Sequence, residues 1–355
     1  MAWLILFVIA GAIYYQSFSY FQFKNINIPF GKEGEFSGLV EEVRGGATQE
    51  LKLSLIGEYR GDISVRLSPY PEFKYGDVVK ITGKINKPDE QYGNYYLSRG
   101  IFGAINFPKI ELLENNKGNF IKAKLFSFRE KIKDIFKASL SKEKSAFLAG
   151  ITIGAREDFS KEFKEKMSSS GTTHLVAMSG YNITVIAWAV GLAFASFFSN
   201  AASFYLSVLT ITLFVLMAGA EASVVRAAIM GTIGLFAIQA ERLFNPRNAI
   251  VIAAFIMVLF NPRVLVFDVG FQLSFAALLG MIYLSPVLKN LFFASAKGGS
   301  LPAGRHGASG EKDFDKGFFS WKENAVNTLS AQIMAMPILL SSFGFFSLSS
   351  LLANV

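Results

Sequence analysis

The stretch Gly171-Thr-Thr-His174-Leu-Val-Ala-Met-Ser179-Gly180-Tyr181-Asn182 runs straight into an apolar helical pattern and carries hydrogen-bonding side chains with it. On a helix His174, Met178, Tyr181 and Asn182 share a face, and Ser179 is turned about a sixth of a turn away. Three more polar groups stand in similar company. Glu221 and Arg226 frame the start of an apolar helix, Asp268 and Gln272 lie four apart on one face, and Asn324, Asn327 and Gln332 precede Met336-Pro337, where the proline kinks its helix. Polar groups at bilayer depth are costly, so they pair, face water, or sit at close helix contacts. Each group has a plain reading: Ser179-Gly180 as a small-residue packing spot, Glu221 as an acid favoured by the helix dipole, Asp268 as the N-cap of its own helix. Arg226 lies deeper, where a lone guanidinium costs at least about 2.5 kcal/mol, and must face a partner or water. Together the four groups would line an aqueous path.

Bond-making chemistry finds little support. The chain has no Cys and two His, His174 and His306, which leaves no thiolate site and too few imidazoles for a histidine-built zinc centre. His306-Gly-Ala-Ser309-Gly looks like an intramembrane serine protease nucleophile motif but lies in a Gly-rich polar loop with no helix to bury it. Paired carboxylates at metal spacing, a Walker loop and a dinucleotide-binding turn are absent. No catalytic residue, metal or cofactor is expected.

The elements that must position these residues belong to a membrane protein. Of 355 residues 52% are hydrophobic and 36 are Phe, above the soluble norm. Apolar segments run through 175–198, 204–219, 224–240, 249–260, 264–285 and 325–355, and several are shorter than the roughly 20 residues of a perpendicular span. The fold class is therefore an α-helical multispanning bundle, over 171–355, preceded by an apolar N-terminal anchor over 1–23 that ends in an aromatic belt. If every segment crosses, the loops at 241–248 and 286–322 share one side and hold eight Lys and Arg, whereas the opposite loops hold Arg263. The positive-inside rule then places the N-terminus in the cytoplasm.

Between anchor and bundle the pattern changes. Residues 24–115 alternate, with strands predicted over 35–43, 50–56, 62–67, 77–85 and 101–113, each bounded by Gly, Pro and Asp turn signals. Five short strands in about ninety residues predict a small all-β barrel of OB type, inserted on the extracytoplasmic side. If Leu53, Val65, Ile81 and Ile85 point inward, then Lys52, Arg66, Lys80 and Lys84 point outward. Converged on one groove these four bind nucleic acid; scattered, they are solvated charges. Residues 116–170 predict amphipathic helices, the first over 120–144 with eight Lys and Arg opposite its apolar stripe, lying on the bilayer or docked on a neighbour.

Three motifs then carry a likeness: Thr173-His174-Leu-Val-Ala-Met-Ser179-Gly180-Tyr-Asn182, Ser223-Val-Val-Arg226-Ala-Ala-Ile-Met230 and Asp268-Val-Gly-Phe271-Gln272-Leu-Ser274-Phe. In the barrel, Tyr75-Gly76-Asp77-Val-Val-Lys-Ile-Thr-Gly83 adds a fourth. In this order the chain resembles the ComEC family of competence proteins, the inner-membrane channel of bacterial natural transformation. The resemblance implies a pore that passes one strand of DNA to the cytoplasm, with His174, Ser179, Asn182, Glu221, Arg226, Asp268, Gln272 and Ser274 along the path. It also implies partners: single-stranded DNA, the lipid bilayer, other competence proteins and a cytoplasmic motor. Tyr181-Asn182 stands where the family more often shows Leu-His. The family's metallo-β-lactamase-like domain has no counterpart here and the sequence stops at Val355 within a motif, so a truncated member or fragment is expected. Two other readings are open: a small-molecule or peptide transporter, and a membrane-anchored scaffold whose OB-fold holds partner proteins.

Overall fold

Alternating burial shapes the N-terminal domain. In β2 (Gln49–Ile56) Leu51, Leu53 and Leu55 are buried and their neighbours are not, which is the period of a half-covered strand. β1 (Glu33–Arg44) pairs antiparallel with β2 and with β4 (Val78–Lys84), and β2 pairs with β3 (Asp62–Leu67). A bulge between Val40 and Glu42 lets Val40 face Leu53 and Val43 face Leu51, so both valines reach the core although three positions separate them. Burying each fully enclosed aliphatic side chain of this core contributes about 1.5–3 kcal/mol, and Val40, Leu51, Leu53, Ile63, Val65 and Ile81 are all enclosed.

The computed structural model describes residues 2–46, 48–155, 159–170, 180–293 and 321–343. Its sheet has six strands in the order β5-β3-β2-β1-β4-β6, not five, because the strand predicted over 101–113 is two: β5 (Ile101–Asn106) and β6 (Lys109–Glu114). Phe107-Pro108 divides them, since proline has no N–H for a ladder and Phe107 takes a left-handed φ of 51°. β5 runs parallel to β3 and β6 antiparallel to β4, so the two edges of the sheet are consecutive in the chain. Among the described residues no ladder joins those edges; an isolated bridge ties Asn86, just past β4, to Ala104 of β5. The sheet is thus open where a closed barrel was expected. A helix absent from the sequence reading, α2 (Glu90–Ser98), precedes β5.

The N-terminal helix α1 spans Ala2–Lys24. After the sheet, α3 (Phe120–Ser139) starts under Asn119, whose side chain accepts hydrogen bonds from the N–H groups of Ile121 and Lys122 at 2.9 and 3.3 Å. It stops short of the predicted 144: Leu140 is extended, and α4 (Lys142–Ile153) follows. Leu125, Ile132 and Phe136 of α3 pack on Ala149 and Ile153 of α4 and on Met217, while Ile121, Phe128 and Ile135 are exposed. Then come α5 (Lys161–Ser170), α6 (Gly180–Ala195), α7 (Asn200–Met217), α8 (Ala222–Gln239), α9 (Pro246–Phe260) and the single turn α10 (Val264–Phe267). Their close contacts use small residues: a Cβ on Gly191 of α6 would lie 3.8 Å from both Ser207 of α7 and Leu235 of α8.

A second compact unit contains α11 (Val269–Leu279), which continues through a π-helical turn at Gly280–Leu284 into α12 (Ser285–Phe293), together with α13 (Trp321–Phe343). Four described helical segments are long and apolar enough to cross a membrane: Asn200–Met217, Ala222–Gln239, Val269–Leu291 and Asn324–Ser342. Pro246–Phe260 is apolar but shorter.

Candidate nucleic-acid interface and membrane path

Register places Lys52, Arg66, Lys80 and Lys84 on one face of the sheet. Lys52 pairs with Ser64 and Glu42, Glu50 with Arg66, Ser37 with Lys80 and Glu33 with Lys84, and residues paired across strands project to the same side. That outer face also carries the acids Glu33, Glu35, Glu42, Glu50, Asp62 and Glu111. Lys52 Nζ lies 2.8 Å from Asp62 and 3.4 Å from Glu41, and Lys80 Nζ lies 2.7 Å from Glu35. Burial pushes the Lys52 ammonium down, but Asp62 and then Glu41 outweigh it and hold its pKa above the usual lysine value. Arg66 and Lys84 are exposed and in no ion pair among the described residues.

The most polar cluster lies beneath α2. Glu42 accepts from Arg44 Nε at 3.0 Å and from Arg99 just past the end of α2, and Arg44 and Arg99 both donate to the Tyr95 hydroxyl. Burial raises the Glu42 carboxyl, yet Arg99 and Arg44 together hold it below the ordinary carboxylate range. Beside it Glu50 accepts from the Ser64 hydroxyl at 2.8 Å and the Tyr96 hydroxyl at 3.3 Å. These side chains satisfy one another and fasten the helix to the sheet.

The same helix meets the turn after α9. Asn261 donates to the Ser98 carbonyl at 3.3 Å, and the Arg263 guanidinium sits 5.0 Å from the Phe23 ring of α1 and 5.4 Å from the Phe102 ring of β5. Arg263 is 2% exposed, so the attraction of the two ring faces acts with little solvent screening. The sequence shows Arg263 as a loop charge; its aromatic partners, 240 and 161 positions earlier, give no local signal.

Glu221 is the N-cap residue of α8, where its side chain makes no capping hydrogen bond, and Arg226 is half-buried on the same helix. Asp268 stands between α10 and α11, and Gln272 and Ser274 are half-buried on α11, with the Ser274 hydroxyl donating to the Phe271 carbonyl at 2.9 Å. His174 and Ser179 lie outside the described residues, and Asn182 is described as part of α6 but not in its side chain. In the second unit the Ser285 hydroxyl donates to Asn327, one of the polar residues expected along an aqueous path. Nearby, a Cβ on Gly280 would come within 2.4 Å of the Ser330 carbonyl oxygen, so only glycine admits this approach of α13.

The architecture defines a multi-pass membrane protein with a sheet domain after its first helix. Residues 151–355 match the family described as Competence protein, more than half of the chain, and the chain belongs to that family. It is also similar to ComE operon protein 3 of Bacillus subtilis (strain 168), 25% identical over 286 residues that cover 78% of this chain and 33% of the relative. The chain therefore spans about a third of that relative's length. No solved structure matches it.

Proposed function

We propose that this chain forms part of an inner-membrane channel that admits single-stranded DNA to the cytoplasm in natural transformation. The observation that carries the reading is the competence-family match over 151–355, on helices that keep Arg226 half-buried in an apolar span. A polyanion crossing a bilayer needs water and fixed cations along its route. The parallel β3–β5 pair, and the bridge that brings the end of β4 at Asn86 to Ala104 of β5, support an OB-like arrangement of this open sheet. Loop charge favours the extracytoplasmic side for that domain, where it would guide the incoming strand. The chain translocates and performs no bond chemistry of its own; other competence proteins and a cytoplasmic motor supply force. Deletion of the coding sequence from its native chromosome should abolish entry of labelled DNA into a DNase-resistant pool while leaving surface-bound DNA in place. Undiminished entry would refute the reading.

A further inference from the structure

β3 and β5 run parallel, with Arg66 opposite Asn106, so the segments that follow them leave the sheet at the same end. One of these segments is the loop Ser68-Pro-Tyr70-Pro-Glu-Phe73. Gln49, buried at the start of β2, fixes its backbone: the side-chain amide donates to the carbonyls of Pro69 at 2.6 Å and Pro71 at 2.7 Å, and its Oε1 accepts from the Phe73 N–H at 3.2 Å. Tyr70, at the tip of this fixed loop, is 77% exposed. An aromatic ring left in water on a rigid loop gains nothing for the core.

The other segment begins with Phe107, whose N–H donates to the Arg66 carbonyl at 2.7 Å. Phe107 is 59% exposed and takes a φ of 51°, a conformation costly for a bulky residue and one that glycine or asparagine would adopt more readily. Two exposed rings thus follow the two strands that end together, with exposed cations at Arg66 and Lys109; the acid Glu72 within the loop is followed by Lys74. This end is also remote from the attachment to the membrane helices. Phe102 at the start of β5 touches Phe23 of α1 and Arg263, and five residues of strand, about 16 Å, separate it from Phe107.

We propose that Tyr70 and Phe107 form a stacking platform for the bases of single-stranded nucleic acid, with Arg66 contacting the adjacent phosphate. The assignment rests on the channel reading above and adds to it the place where the strand first lies on the protein. Any base offers a face to an aromatic ring, so such a platform is indifferent to sequence, as uptake of arbitrary DNA requires. It also explains why Lys52 and Lys80 can be committed to acids: on this domain rings, with few cations, hold the strand.

The test uses the full chain in lipid nanodiscs, with binding followed by anisotropy of a fluorescein-labelled oligothymidine of 20 nucleotides and of an abasic strand of equal length. The wild type should prefer the oligothymidine by about tenfold or more, the effect of stacking one or two bases. Tyr70→Ala combined with Phe107→Ala should erase that preference with the unfolding midpoint unchanged, and Tyr70→Phe should keep it. Arg66→Ala should weaken both strands alike and flatten the log–log salt slope by about 0.7, one single-strand phosphate contact. A preference that survives the double substitution would overturn the platform while leaving the channel reading standing. Failure of the wild type to bind either strand at micromolar concentration would overturn both. Quenching by brominated lipid chains of the emission that Tyr70→Trp adds over the wild type would show that the loop enters the bilayer, and would also overturn it.

Discussion

The sheet domain and the second helical unit solve the same problem, how to keep polar groups inside a packed structure, in opposite ways. Under α2 the sheet gathers Glu42, Arg44, Arg99, Tyr95, Glu50 and Ser64 into mutual hydrogen bonds, with charge set against charge. In α11–α13 Ser285 donates to Asn327, a neutral pair, and Gly280 lets the backbone of α13 approach closely at Ser330. Where water is at hand, ion pairs give register at small cost. Where the surroundings are apolar, close approach of small residues does the holding, and a charge retained there has another reason to be present.

Arg226 breaks that contrast most sharply. Arg226→Ala should leave expression and thermal stability near wild type while uptake of labelled DNA by cells collapses, and Arg226→Lys should keep part of the uptake as a point charge. A variant that is stable and fully competent would show that Arg226 lines no path. Next comes Gly280→Leu, which forces a side chain into the Ser330 carbonyl. It should cost about 3 kcal/mol, the upper range for overpacking, read as a lower unfolding midpoint in detergent.

On the sheet side, Glu42→Gln should cost roughly 2 kcal/mol by weakening hydrogen bonds made to a charged group. Because the folded carboxylate is held below its unfolded value, its contribution is present at neutral pH and is lost as pH falls through the folded pKa, below the ordinary carboxylate range. The wild-type midpoint should therefore fall more steeply on acidification than that of Glu42→Gln. Arg263→Ala opens the sandwich between Phe23 and Phe102 and should cost about 1–2 kcal/mol. The smallest effect belongs to Lys80→Ala. Its pair with Glu35 is exposed to solvent, and no change in midpoint should be measurable.

Much of this protein is local and was therefore legible in sequence. Alternation in 49–56 and 62–67 defined β2 and β3 to within a residue, since a strand with one covered face repeats every two positions. Long apolar runs located α7, α8, α11 and α13, whereas α12 falls in the predicted loop 286–322 and takes Lys289 into a helix; motifs around Arg226 and Asp268 point to the competence family. Non-local facts escaped. No element is predicted over 86–100, where Tyr95 and Tyr96 of α2, with Arg99 just beyond it, meet partners Glu42, Glu50 and Arg44 on strands up to 57 positions away. Alternation correctly placed Lys52 and Lys80 on the outer face, but only the pairing of strands brought Asp62 and Glu35 to them and withdrew their charge from a DNA groove. A one-dimensional pattern determines which side a residue faces, because that depends on backbone period alone; what stands opposite it depends on which distant segments pair, and that is decided in three dimensions.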